Sequence, residues 1–148
     1  MKQLFTFLIG LFVAFSISAQ QSNILKFETS DTMNAKFDPA LDEYVIKGSI
    51  KNISGSTQKI KWKRKYTQFA SGCESTICDL LCYSANVNES PKELTLLPNQ
   101  SIPIGCYFYK ECAQNGGTSF RMTFHPSNDL TNVLYTVVFN CGTTTNVS

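Results

Sequence analysis

The tightest constraint on what this chain can fold into is an apolar/polar alternation of period two, repeated in five stretches. Val133, Tyr135, Val137, Phe139 and Cys141 form the cleanest stripe. Phe120, Met122 and Phe124 alternate with Arg121, Thr123 and His125, and Ile102, Ile104, Cys106 and Phe108 share a face. Upstream, Tyr44, Ile46, Gly48 and Ile50 lie on one side. Ile60, Trp62, Arg64 and Tyr66 alternate with Lys59, Lys61, Lys63 and Lys65. Period two is the signature of a strand with one buried face; a helix would space its apolar residues by three and four, and no stretch of helical length does so. Shorter strand candidates lie at 24–29 and 93–97. Turn-forming residues separate the runs: Asp38-Pro39, Asn52 to Ser56, Pro98-Asn99, Asn115-Gly116-Gly117 and Pro126-Ser127-Asn128-Asp129. The pattern predicts an all-β fold, a single antiparallel Ig-like β-sandwich of seven to eight strands stapled by disulfides. A small closed barrel is the alternative.

Ahead of these strands stands a different kind of segment. Met1-Lys2-Gln3 is a short positive start, Leu4 to Ile17 is almost wholly apolar, and Ser16-Ile17-Ser18-Ala19 ends it with small residues. That is the pattern of a cleaved secretory signal, and it is shorter than the stretch of about 20 residues that spans a bilayer. The expected organisation is therefore a signal peptide over 1–19 and one Ig-like domain over 20–148. No further spanning stretch follows, and the expected location is exported: secreted, periplasmic or at the cell surface.

Export governs how the six cysteines are read. In an oxidising compartment an even number implies up to three disulfides, with fifteen possible pairings. Cys78 and Cys82 are four apart, so a tight turn at Asp79-Leu80-Leu81 can bring them within bonding range, whereas an extended strand would hold them about 13 Å apart. The expected set is Cys78–Cys82, with Cys73–Cys141 and Cys106–Cys112 as the remainder. A shaped loop of this kind makes Asp79 and Tyr83 candidates for partner contact.

Composition excludes several chemistries. With 16% charged residues and a formal charge of +2, the chain lacks the concentrated positive field of a nucleic-acid-binding protein. The single histidine, His125, excludes a blue-copper centre, which takes two. No serine sits in G-x-S-x-G, and His125 would have to be the base of any triad. No cofactor is implied, and no catalytic or metal-binding set emerges. The Cys78-x-x-x-Cys82 pair has an alternative reading as a redox or metal-handling site, but that chemistry wants a helix N-terminus for the first thiolate. Lys59, Lys61, Lys63 and Lys65, interleaved with Trp62 and Tyr66, could grip an anionic glycan; the simpler role is an outer sheet face that stays solvated. Four N-x-S/T sequons begin at Asn52, Asn88, Asn99 and Asn146.

Several segments together resemble a known group: Gly48-Ser49-Ile50-Lys51-Asn52, Ile60-Lys61-Trp62, Cys78-Asp79-Leu80-Leu81-Cys82-Tyr83, Leu94 to Gln100, and Gly117-Thr118. Over about residues 43 to 140 the chain is similar to small secreted Ig-like β-sandwich proteins of the Bacteroidota type, a largely uncharacterised group. The resemblance implies the fold and the exported location, and no activity. The function expected from all of this is a secreted, non-catalytic binding or structural module with an unidentified protein or glycan partner.

Overall fold

A computed structural model describes residues 23–142. The expected signal peptide over 1–19 and the sequon at Asn146 lie outside the described residues. Eleven strands follow in order: β1 Leu25–Phe27, β2 Thr32–Asn34, β3 Lys36–Asp38, β4 Glu43–Asn52, β5 Gln58–Gln68, β6 Ser75–Cys78, β7 Cys82–Tyr83, β8 Leu94–Leu96, β9 Ser101–Phe108, β10 Thr118–Pro126 and β11 Tyr135–Cys141. A 3-10 turn at Lys110–Ala113 joins β9 to β10.

The strands form two sheets. Sheet I has the order β1-β4-β9-β6-β7, and sheet II the order β2-β11-β10-β5-β8. The edge of β4 opposite β9 is shared: β3 takes its first part, with Phe37 opposite Tyr44, and β1 its last part, with Phe27 opposite Ile50. Pairing is antiparallel except where β2 lies parallel to β11. The spatial orders β1-β4-β9-β6 and β11-β10-β5 are those of an immunoglobulin-like sandwich. Between β1 and β2 the chain crosses from sheet I to sheet II and ties the two together. The strand count exceeds seven or eight because β2, β3 and β7 are two- or three-residue pieces with no buried stripe of their own.

Alternation places the core where the sequence pattern expects it. Trp62, Phe108, Phe120, Phe124 and Phe139 are fully buried, with Ile46, Ile50, Ile60 and Ile77 between them. Phe27 of sheet I meets Phe139 of sheet II edge to face at 5.9 Å, and Phe120 meets Phe139 at 5.2 Å. Such geometry adds about 0.5–1.5 kcal/mol per pair beyond area burial. Gly48 sits on the inward stripe of β4 because the Phe27 ring lies over it; a Cβ there would fall 2.3 Å from the ring. Val133, the expected first residue of the last stripe, is instead exposed in the turn before β11.

Pro103 is tolerated inside β9 for a reason visible in the pairing. The carbonyl of Gln100 accepts from the Asn52 N–H, so even-numbered residues of β9 bond toward β4 and odd-numbered ones toward β6. Strand β6 reaches only from Phe108 to Gly105. The missing N–H of Pro103 therefore faces an edge with no partner strand, which it also blunts.

Candidate functional site

The segment between β5 and β8 carries Cys73, Cys78, Asp79, Cys82 and Tyr83 of the residues that the sequence singles out. Two inward-facing side chains of β5 organise it. Trp62 is fully buried, and its indole Nε1–H donates to Asp79 Oδ2 at 2.8 Å. Its backbone exchanges hydrogen bonds with Ser90, N–H to Oγ at 3.1 Å and carbonyl from the Ser90 N–H at 2.9 Å. Two positions on, Arg64 spends all five of its N–H donors. They go to Asn88 Oδ1 at 3.2 Å, the Ser75 carbonyl and hydroxyl at 3.0 and 2.9 Å, and the carbonyls of Ala85 and Val87 at 2.6 and 2.9 Å. Burial lowers the Arg64 pKa, yet a guanidinium stays charged at any physiological pH. The rings of Tyr66 and Phe120 flank it at 5.1 and 5.7 Å. An irregular stretch is thus sewn to the core by hydrogen bonds.

Within that stretch, β6 and β7 form a hairpin whose facing residues Cys78 and Cys82 are bonded to each other, their Cα atoms 4.0 Å apart. The turn is closed by Asp79: its Oδ1 accepts the Leu81 N–H at 3.0 Å, and its N–H donates to the Leu81 carbonyl at 2.9 Å. Asp79 is only 8% exposed. Its carboxylate joins core to loop, with one oxygen on the Trp62 indole and the other on the Leu81 N–H, and it offers little surface outward. Tyr83 is half-buried and packs edge to face on Trp62 at 5.6 Å. Burial, and then the adjacent Asp79 carboxylate, push its phenol above the ordinary value. What the hairpin offers outward is Leu80, 66% exposed, and Leu81, 48% exposed. Sequence reasoning passed over both, although two leucines between cysteines in a turn are themselves a signal of an apolar tip.

The remaining disulfide pairing differs from the expectation. Cys73 is bonded to Cys112, with Cα atoms 4.4 Å apart, and among the described residues Cys106 and Cys141 are free and buried. The pairs Cys73–Cys141 and Cys106–Cys112 are corrected accordingly. The physical reason is position. Cys106 faces inward opposite Ile46 and Ile77, and Cys141 ends the inward stripe of β11, so each serves as a core side chain. Cys73 and Cys112 lie in the turns flanking β6 and β9, brought together by the Tyr109 N–H bond to the Glu74 carbonyl at 3.1 Å. Burial raises the Cys106 thiol well above its usual value and pushes Cys141 up to about 11. Neither is a nucleophile at neutral pH.

The lysines of β5 occupy the outer face of sheet II. Lys59 pairs with Glu93 at 3.0 Å and Lys63 with Glu89 at 3.8 Å. Lys65 stands directly opposite Arg121 of β10, and Lys61 opposite His125. A cleft of about 720 Å³ is lined by Lys63, Lys65, Asn88, Glu89, Arg121 and Thr123. His125 has both ring nitrogens engaged, with Thr123 Oγ1 at 2.7 Å and the Asn132 carbonyl at 3.0 Å, and burial lowers its pKa. Its bond to the Asn132 carbonyl ties β10 to the 129–132 turn. Among the described residues no group of three His, Cys, Asp or Glu side chains converges, and no helix is long and apolar enough to cross a membrane. Asn52, first residue of a sequon, is fully buried. It donates to the Ser56 and Leu96 carbonyls and accepts from Ser54, so it has no room for a glycan.

This geometry defines a class, an Ig-like β-sandwich with a disulfide-closed edge hairpin. No family model matches the chain, and no curated protein matches it. Solved structures do. The N-terminal domain of PorA superposes with a TM-score of 0.66 at 18% identity, covering 81% of this chain and 98% of that one. A PapD-like domain of human CEP192 gives 0.45 at 10% identity over 97% of each chain. The class 5 fimbriae chaperone CfaA gives 0.45 at 13% identity, with 78% of this chain and 55% of the chaperone covered. At such identities the PorA likeness establishes the shared fold.

Proposed function

We propose that the chain is an exported, non-catalytic binding module that presents the Cys78–Cys82 hairpin tip to a protein partner. The observation that carries this reading is the exposure of Leu80 and Leu81 on a loop fixed by a disulfide, by two hydrogen bonds within the turn, and by Asp79 on the Trp62 indole. Burying one leucine side chain contributes about 1.5–3 kcal/mol, and a loop already ordered loses little entropy on docking. Export is supported by the leader pattern and by two disulfides. The redox reading of Cys78 and Cys82 has less support, because the hairpin places no helix N-terminus beside either sulfur.

The test is a photo-crosslinking residue in place of Leu80, expressed in the native cell. A discrete protein adduct is expected, lost on Leu81→Asp and weakened by Cys78→Ser/Cys82→Ser. Absence of an adduct, or an adduct indifferent to Leu81→Asp, overturns the reading. Mass spectrometry of the exported chain should find it beginning at Gln20; an intact Met1 would remove the export claim.

A further inference from the structure

The outer face of sheet II carries an arrangement that folding alone disfavours. Lys65 and Arg121 are direct cross-strand neighbours, and Lys63 follows on the same face two residues along β5. Like charges placed directly opposite each other destabilise a sheet, and an opposite charge at either position would serve solubility as well. Among the described residues the ion pairs are Lys51–Glu28, Lys59–Glu93, Lys63–Glu89 and Lys110–Asp42, so Lys65 and Arg121 enter none. Glu89 is the only carboxylate among the residues lining the cleft, and it lies at the Lys63 end. At the far end Glu93 neutralises Lys59 and also feels the charge of Lys61. The unbalanced positive charge is therefore concentrated at Lys65 and Arg121; Lys63 beside them is shared with Glu89, and Lys61 stands about 13 Å from Lys65 along β5.

We propose that this cleft binds a linear anionic polysaccharide, whose sulfate or carboxylate groups are held by Lys65 and Arg121 with Lys63 beside them. Independently of the hairpin tip, three features favour a glycan over nucleic acid. Trp62 and Tyr66 of the same strand turn inward, so β5 presents no ring on which a base could stack. Four cations fall short of the roughly 6–10 phosphate contacts that duplex binding draws on. Thr123 and Asn88 line the cleft with polar groups suited to sugar hydroxyls. Arg121 extends the basic strand into a two-stranded site, and Lys59 drops out of it.

The test uses the exported chain on immobilised heparin, hyaluronan and duplex DNA, with Arg121→Gln, Lys65→Gln and Lys59→Gln variants. Wild type and Lys59→Gln should be retained alike on heparin and elute with salt. Arg121→Gln and Lys65→Gln should bind at least tenfold more weakly, each lowering the log–log salt slope by roughly 1. Heparin should raise the melting temperature of wild type but not of Arg121→Gln, whose ligand-free melting temperature should equal or exceed that of wild type. Failure of retention at 50 mM salt, equal elution of Arg121→Gln and wild type, or tighter retention on DNA than on heparin overturns the proposal.

Discussion

Replacing Asp79 with alanine tests whether the hairpin is held from inside the core. The wild-type carboxylate accepts the Trp62 indole N–H at 2.8 Å in a buried setting and the Leu81 N–H at 3.0 Å nearer the surface. In Asp79→Ala the Leu81 N–H can turn to water at a cost of about 0.5–1 kcal/mol. The Trp62 N–H cannot, because the side chain is fully buried. A buried donor left unsatisfied costs about 1–3 kcal/mol, and the lost bond was charge-assisted, so the sum is about 3 kcal/mol. For a domain of this size that is a fall in Tm of roughly 10 °C. Asp79→Asn keeps an acceptor oxygen and should cost about 1 kcal/mol. Trp62 is the only tryptophan, so its fluorescence follows unfolding in guanidinium without a label. Circular dichroism serves the Trp62→Phe half of a double-mutant cycle, in which a coupling above about 1 kcal/mol is expected. An Asp79→Ala protein within 0.5 kcal/mol of wild type would refute the reasoning.

The two disulfides should differ in weight. By the loop-length relation the bond closing 39 residues contributes about 4 kcal/mol and the one closing four about 2, so Cys73→Ser/Cys112→Ser should lower stability about twice as much as Cys78→Ser/Cys82→Ser in parallel denaturant titrations. The thiols of Cys106 and Cys141 should resist alkylation in the native protein and react only after unfolding. Both are raised from 9.0 in the fold, so the unfolded chain ionises first, and stability should fall as pH rises from about 9 toward 11. His125 has the opposite dependence. Burial keeps it neutral in the fold while the unfolded chain takes a proton near 6.5, so stability should fall as pH drops below about 6.5, and His125→Gln should flatten that part of the curve.

What was legible in the sequence was whatever a period of two can express. The alternation placed Trp62, Arg64, Phe120, Met122 and Phe139 inside and Lys61, Lys63, Lys65 and Arg121 outside, and the sheets put them there. The same periodicity held an answer about the cysteines that pairing arithmetic obscured. Cys106 and Cys141 stand on apolar stripes and Cys73 and Cys112 stand in turns, which separates core side chains from staples. Strands β2, β3 and β7 were not legible because a piece of two or three residues has no period. The role of Asp79 was hidden for another reason. Its partner Trp62 lies seventeen residues away, in the opposite sheet, and a carboxylate in a turn ordinarily faces water.

Four of the buried polar residues, Arg64, Ser75, Asp79 and Ser90, gather at one edge of the sandwich. Segment 79–93 contains only the two residues of β7 as strand, and a stretch with so few ladder bonds would ordinarily sample many conformations. Here β5 supplies the missing order from beneath: Trp62 holds Asp79 and Ser90, and Arg64 holds Ser75, Ala85, Val87 and Asn88. An apolar pair in place of Trp62 and Arg64 would pack a core equally well, since a buried ion is seldom retained for stability alone. Directional bonds add a defined path for the segment over the sheet edge. That path fixes the tip bearing Leu80 and Leu81 on one side and sets Asn88 and Glu89 against the basic strand on the other. One strand, read inward, therefore orders both surfaces to which binding is assigned, and read outward it supplies the charge of the second.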